Sequence, residues 1–151
     1  MHQVRCVFFI ILRVKIGVMI RKKIGTIIVP PGVFMGIHEK MAADFLAVKT
    51  GNDIKFLLPE RRKGVKTPDI EMAGLCWEIK SPIGKSSRTI ENNLRIAIKQ
   101  SSNIVIDLRR MDGRIPTTKL LKEIERRFND AKSIKRLIVI TRQEAYIDLK
   151  R

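Results

Sequence analysis

The fold is decided by the stretch PDIEMAGLCWEIKSP, residues 68–82. Two runs rich in apolar residues flank Ala73-Gly74, and a proline bounds the stretch at each end, which predicts a β-hairpin. In the second run, Glu78 and Lys80 are two positions apart and therefore point to the same face of the strand. The apolar residues at the alternate positions point to the other face: Leu75, Trp77 and Ile79. We expect one face to be core and the other to carry chemistry.

The register of this hairpin follows if Ala73-Gly74 is a two-residue turn, although alanine is not the preferred residue there. Asp69 then lies opposite Glu78, with the two Cβ atoms about 5 Å apart. Two carboxylates at that distance repel each other unless a divalent cation lies between them, and magnesium or manganese suits oxygen ligands. Lys80 beside them could orient a water molecule and stabilise developing negative charge on a phosphate.

The same three residues have a simpler interpretation. Asp69 could cap a turn while Glu78 and Lys80 lie on a solvated strand face, since an Asp followed nine residues later by Glu-x-Lys is a common pattern. The context favours a site, because the pattern falls on a hairpin, follows a basic loop at 60–67, and belongs to a strongly basic chain.

Hydrophobic periodicity extends the prediction to both sides of the hairpin. A helix over Ile37–Thr50, with Gly51 as its cap, and a strand over Ile54–Leu58 precede it. After it we expect a helix over Ser87–Ser101, a strand over Ile104–Leu108 that is covered on both faces, a helix from Thr117, and strands over Leu137–Thr141 and Tyr146–Leu149. This order predicts an α/β fold, a mixed β-sheet flanked by helices.

The chain divides into an N-terminal segment of unclear role, residues 1–23, and one domain, residues 24–151. The segment is apolar and basic, and its apolar runs are too short and too interrupted by charge to span a bilayer. Alternation within it favours two strands. It could equally be the end of a region that precedes the domain in a longer protein.

The charge of the chain indicates a polyanionic partner. There are 31 Lys and Arg against 15 Asp and Glu, a formal net charge of +16. Nucleic acid is the commonest partner of such an excess, although an anionic membrane or an acidic protein would also fit. Aromatic residues make up only 5%, so a row of base-stacking side chains is not evident and recognition of backbone and shape fits better.

Basic side chains are predicted to line the approach to the hairpin. On the helix that follows it, one face is polar and opposes the buried one, which suits tracking of phosphates, although surface helices often carry such residues. The residues assigned to nucleic-acid binding are Lys66, Lys85, Arg88, Arg95 and Lys99, with Gln100 at the edge of this face. Asp107, among apolar neighbours, is as consistent with a buried, paired carboxylate as with a functional one.

The motifs Pro68-Asp69 and Glu78-Ile79-Lys80, in this order of elements, resemble the PD-(D/E)XK nuclease superfamily over residues 24–149. More narrowly, residues 66–69, 77–82 and 103–110 are similar to the transfer-RNA nuclease domains at the C-termini of contact-dependent growth inhibition toxins. The resemblance implies that Asp69 and Glu78 bind the metal and that Lys80 is the catalytic lysine. It also implies a helical acidic residue, which Glu39 matches, although a carboxylate at a helix start is favourable in any case.

The function that this resemblance implies is a metal-dependent endonuclease acting on transfer RNA, with Mg²⁺ or Mn²⁺ as the cofactor and Zn²⁺ as a further candidate. Two alternatives remain: a DNA nuclease of mobile-element or repair type, and a basic nucleic-acid-binding module without catalysis. As a toxin, the domain would act in the bacterial cytoplasm after delivery to a neighbouring cell, and an acidic immunity protein would bind its basic cleft.

Overall fold

The computed structural model describes residues 22–151, and the two strands expected before residue 22 lie outside these residues. The described residues form one sheet, in which the strands lie side by side in chain order, and three α-helices. The strands are β1 (Ile27–Ile28), β2 (Ile54–Phe56), β3 (Ile70–Met72), β4 (Leu75–Lys80), β5 (Asn103–Asp107), β6 (Arg136–Ile140) and β7 (Tyr146–Lys150). The helices are α1 (Ile37–Thr50), α2 (Ser87–Ala97) and α3 (Thr117–Asp130).

The sheet is mixed, as the sequence predicts. Strands β1 and β2 are parallel, as are β4, β5 and β6, whereas β2–β3, β3–β4 and β6–β7 are antiparallel. The predicted α/β class is therefore confirmed. Strand β1 was not predicted, because two residues are too few to show a period. It extends the sheet edge through a parallel pairing of Ile27 with Ile54.

The β3–β4 hairpin has the predicted register, with Ile70 opposite Trp77 and Met72 opposite Leu75. Ala73 and Gly74 have φ values of 51° and 73°, which are the left-handed values of a type I′ turn. The prediction that Leu75 belongs to the core is wrong. Its side chain is 38% exposed because it adjoins the turn, at the end of the strand.

Each face of the sheet has its own core. On one face α1 packs through Ala42, Ala43, Leu46 and Ala47 against a set that includes Trp77 and Ile79. On the other, α2 and α3 pack through Ile90, Leu94, Ala97, Leu120, Ile124 and Phe128 against Ile104, Ile106, Leu137 and Val139. Strand β5 is thus covered on both faces, as expected for a central strand.

Helix ends agree with the sequence signals at α1 and depart from them at α2. Gly51 ends α1 with a φ of 70°, and its N–H donates to the carbonyl of Ala47. Helix α2 ends at Ala97, before the predicted Ser101, because the chain tightens into i+3 hydrogen bonds such as Gln100 N–H to Ala97 O.

No helix within residues 22–151 has the length and apolarity needed to cross a bilayer.

Candidate active site

Glu78 lies in the middle of β4, on the face that α2 partly covers. Its pairing position is Ile104 of β5, and only 1% of its surface is exposed. The interpretation of Glu78 as part of a solvated strand face is therefore wrong. Burial of a carboxylate costs free energy, and carboxylates are rarely buried unless neighbouring groups pair with them. The groups that surround Glu78 must therefore offset this cost.

One oxygen of Glu78 is hydrogen-bonded twice and the other has no partner. Its Oε1 accepts hydrogen bonds from the Lys80 ammonium and from the side-chain amide of Gln100. Its Oε2 is buried and lacks any hydrogen-bond partner among the described residues. A buried carboxylate oxygen left in this way costs free energy unless a cation or another donor occupies its free side.

Asp69 is held against the same strand. Its backbone N–H donates to the carbonyl of Trp77 at 3.0 Å, and its Oδ2 accepts from the backbone N–H of Ile79 at 2.7 Å. The pairing of β3 with β4 ends at Ile70 opposite Trp77, and Asp69 contacts Trp77 and Ile79, the two chain neighbours of Glu78. This brings the Asp69 carboxylate near Glu78, but the directly opposite pairing of the two residues that the sequence predicts is not among the pairs of the described strands. The Ile79 contact occupies one carboxylate oxygen of Asp69 and fixes the orientation of the other.

The pKa values of both carboxyl groups are raised. For Glu78, burial raises the pKa to about 7, and the neighbouring Asp69 charge adds to the rise although Lys80 opposes it. For Asp69, burial likewise raises the pKa, with a further contribution from Glu39, against the lowering effect of the Ile79 N–H. Burial and the neighbouring carboxyl group therefore both disfavour ionisation of these two groups, as is common at catalytic and cation-binding sites.

Glu39 lies at the start of α1 and lines a small cavity together with Asp69. Its carboxylate accepts from the backbone N–H of Gly36 at 2.8 Å, so it caps the helix. The cavity has a volume of about 120 Å³ and is also lined by Pro68. The structure thus places Glu39 near the site and also gives it the helix-start role that the sequence left open.

The sequence assigned Gln100 to nucleic-acid binding, but its side chain contacts Glu78 and belongs to the carboxylate cluster. The other five side chains of that set are exposed, and none forms an ion pair with a described residue. Arg88 and Arg95 lie on the outer side of α2, Lys85 lies just before it, and Lys99 adjoins Gln100. Lys66 lies in the loop that leads into β3.

Two polar groups near the end of β4 were not singled out in the sequence. The Ser81 hydroxyl is buried and has no partner among the described residues, and Arg110 donates to the Ser81 carbonyl at 3.4 Å. Sequence spacing cannot foresee the contact between Arg110 and Ser81, because it joins separate elements.

Asp107 is 2% exposed and is paired with Arg109 at 2.6 Å, which makes it a structural carboxylate.

The donor set fits a hard cation better than zinc. Within residues 22–151, no three His, Cys, Asp or Glu side chains are grouped closely enough to form a metal site on their own. Two carboxylates, one with an unpartnered buried oxygen, are what magnesium requires, since it keeps several waters and takes the remaining ligands from substrate phosphates. Zinc sites use three or four protein ligands, mostly nitrogen and sulfur.

Fold and site together define a mixed α/β domain with a buried centre of two carboxylates and a lysine. The family described as the contact-dependent growth inhibition CdiA C-terminal domain matches residues 66–145, more than half of the chain, and this chain belongs to that family. The matched region contains Asp69, Glu78 and Lys80.

A solved structure has the same fold. The chain is similar to one described as "CdiA-CT/CdiI toxin and immunity complex from Burkholderia pseudomallei", with a TM-score of 0.62 and 19% sequence identity. The alignment covers 84% of this chain and 100% of that chain. At this identity the likeness establishes the fold alone. A comparison with curated proteins found no match.

Proposed function

We propose that this domain is a metal-dependent endonuclease of the PD-(D/E)XK type, and that it acts as the toxic part of a contact-dependent growth inhibition protein. The observation that carries the proposal is the buried Glu78, whose Oε1 is bound by Lys80 and Gln100 while Oε2 is left without a partner beside Asp69. A structural ion pair would not need a second carboxylate or leave an oxygen unpaired.

In this proposal Asp69 and Glu78 hold one divalent cation, Mg²⁺ or Mn²⁺. When bound, the cation supplies Lewis-acid stabilisation of the phosphate and activation of water. Lys80 donates to the developing negative charge and orients the attacking water. Gln100 holds the Glu78 side chain through Oε1, which leaves Oε2 free as the oxygen that would bind the cation. Glu39 lies at the border of the site, where it adds negative charge near Asp69.

The proposed substrate is transfer RNA. The net charge of +16 supports a polyanion, and the exposed cations on α2 and in the 60–67 loop lie on elements adjoining the carboxylate pair. The narrowing to transfer RNA rests on the resemblance of residues 66–69, 77–82 and 103–110 to toxin nuclease domains. A DNA nuclease would use the same centre, so the choice between substrates is left to experiment.

Delivery and inhibition follow from the same proposal. The domain would act in the cytoplasm of a neighbouring bacterial cell. An acidic immunity protein would bind its basic surface in the producing cell, which is consistent with the description of the similar structure as a toxin and immunity complex.

The test incubates the purified chain with total transfer RNA and with duplex DNA, in magnesium, manganese, zinc or a chelator. Asp69→Ala and Lys80→Ala are the site variants. Glu125→Gln and Lys122→Ala, both exposed on α3, are matched controls for loss of one carboxylate and one ammonium. We expect metal-dependent cleavage of transfer RNA by the native chain and both controls, and none by the site variants.

The other outcomes separate the alternatives. Cleavage of DNA and not RNA would replace the substrate while keeping the site. Tight binding without cleavage under any metal would leave a binding module and contradict the nuclease proposal. Cleavage that survives in Lys80→Ala would place the chemistry elsewhere in the chain.

A further inference from the structure

Phe34 is an aromatic side chain in water. It is 98% exposed, whereas the other aromatic side chains within residues 22–151 are buried or half-buried, among them Phe56 at 2% and Trp77 at 0%. A single exposed apolar residue needs no explanation by itself. Phe34 needs one because of its position, which is beside the carboxylate site.

The backbone around Phe34 holds the ring outward. On one side, the Val33 N–H donates to the Pro30 carbonyl at 3.2 Å, and on the other, the Gly36 N–H donates to Glu39 at 2.8 Å. Val33 and Met35 are partly buried and pack against the core on the α1 side of the sheet. The neighbours of Phe34 on both sides are thus anchored inward, and the exposure of its ring is a property of the fold.

The ring borders a cavity beside the carboxylate site. Phe34, Glu39, Thr67 and Asp69 are among the residues that line this cavity of about 120 Å³. Thr67 also closes the basic loop, because its hydroxyl accepts from the Glu60 N–H at 2.7 Å. The cavity is therefore lined by the aromatic ring, by Asp69 of the carboxylate site and by the last residue of the basic loop.

The cations of that loop are available to a phosphate. Arg61, Lys63 and Lys66 are exposed and form no ion pair with a described residue, while Arg62 is paired with Glu60. An exposed aromatic ring together with free cations on a neighbouring loop is a combination by which proteins hold unpaired nucleotides, with the base stacked on the ring and the backbone phosphates on the charges.

We propose that Phe34 is a base-stacking platform, and that the enzyme therefore cleaves beside an unpaired nucleotide. This inference rests on the proposed nuclease function and narrows its substrate to loops, bulges or single-stranded ends. A base inside a duplex is already stacked on both sides and cannot offer its face to the ring. The charged loop contacts the backbone of the same strand.

The experiment places a tryptophan at the platform. The one native tryptophan, Trp77, is fully buried. Phe34→Trp therefore adds an exposed tryptophan, and quenching of its fluorescence reports stacking of a base on the ring. The substitution is made in a Lys80→Ala chain, so that RNA is not cleaved. The control is Val48→Trp in the same background, at a half-exposed position on α1 about 13 Å along the helix axis from Glu39. Fluorescence anisotropy of labelled RNA measures binding independently.

We expect a single-stranded RNA oligonucleotide and transfer RNA to quench Phe34→Trp and not Val48→Trp, and a blunt duplex of the same sequence to quench neither. Phe34→Ala should lose about tenfold or more in affinity for the single strand but not for the duplex, and Phe34→Tyr should keep it. Thermal unfolding of these variants should be unchanged, because the ring makes almost no contact with the fold.

Two results would overturn the inference, and they are distinguishable. Binding by anisotropy with no quenching of Phe34→Trp would remove the stacking platform and leave the nuclease proposal standing. If neither the Phe34→Trp chain nor the Val48→Trp chain binds any RNA or DNA oligonucleotide, the proposed nucleic-acid substrate is wrong, and the stacking platform with it.

Discussion

At the scale of single residues, Glu78 and Lys80 form a coupled pair. The carboxylate is 1% exposed, the lysine side chain is 21% exposed, and the two form an ion pair. Removal of one partner from a buried pair leaves an uncompensated charge, which costs more than the pair contributes when intact.

Stability measurements should show this coupling. Lys80→Met is expected to lower the free energy of unfolding by about 2 kcal/mol in the absence of metal, because it leaves Glu78 with the Gln100 amide alone. In a Glu78→Gln chain the same substitution should cost less than half as much. Urea denaturation of the four chains of this double-mutant cycle gives both values. Additive costs would show that the two side chains are energetically independent.

At the scale of secondary-structure elements, the β3–β4 turn is under conformational strain. Ala73 has a φ of 51°, in the left-handed region where a non-glycine residue costs about 1 kcal/mol. Ala73→Asn, a residue that type I′ turns prefer, should therefore raise the free energy of unfolding by roughly 0.5–1 kcal/mol. Gly74→Ala should lower it, although no atom lies within 4 Å of the added carbon. An unfolding midpoint unchanged by both would contradict the turn type.

The edge pair β6–β7 carries a charge interaction that acid should remove. Burial raises the pKa of Asp148, but hydrogen bonds from Arg136 and Lys150 outweigh it, and the net pKa lies below the ordinary 3.8. The Arg136 guanidinium donates two hydrogen bonds to Asp148, from Nε to Oδ1 at 2.9 Å and from Nη2 to Oδ2 at 2.7 Å. A carboxyl group whose folded pKa is lowered stabilises the fold above its unfolded pKa, and this stability is lost as the pH falls through the folded value.

Asp148→Asn should accordingly destabilise the protein at pH 7 and have a much smaller effect at a pH well below 3.8, low enough that the native carboxyl group, whose pKa is lowered, is also protonated. Unfolding at both pH values checks this. Because Asn has nearly the same shape as Asp, the substitution mainly removes the charge. A destabilisation that is the same at the two pH values would show that the charge is not its cause and would assign it to packing.

The elements themselves could largely be predicted from sequence. Apolar residues at helical spacing and Gly51 gave α1 its observed limits, and the two-residue turn gave the register that pairs Ile70 with Trp77 and brings Asp69 close to Glu78. Residue contacts between distant segments could not be predicted. Gln100 meets Glu78 only because α2 tightens after Ala97, and the exposure of Phe34 depends on how its neighbours are anchored.

At the scale of the whole molecule, net charge should dominate affinity for nucleic acid. Each phosphate neutralised by the protein releases counterions, so the logarithm of the affinity falls linearly with the logarithm of salt concentration, with a slope of about 0.7 per contact for single strands and about 0.9 for duplexes. Arg95 and Lys99 are exposed and carry no ion pair with a described residue, and each should contribute one such contact.

The double variant Arg95→Gln, Lys99→Gln should therefore reduce the slope for transfer RNA by roughly 1.4–1.8. Lys119→Gln with Lys122→Gln, which removes two exposed charges from α3, serves as the matched control. Affinity measured between low and moderate salt in Lys80→Ala chains gives the slopes. Equal changes in both double variants would mean that the RNA is held by overall charge and not by the Arg95 and Lys99 side chains.

The most direct measurement of the central claim is a calorimetric titration of the RNA-free protein with manganese. If Oε2 of Glu78 and the carboxylate of Asp69 are metal ligands, the native chain should bind one ion, and Glu78→Gln should lose this binding while it remains folded. Lys80→Ala should still bind, since the lysine is not a ligand. Undiminished manganese binding by Glu78→Gln, or its absence from the native chain, would contradict the account.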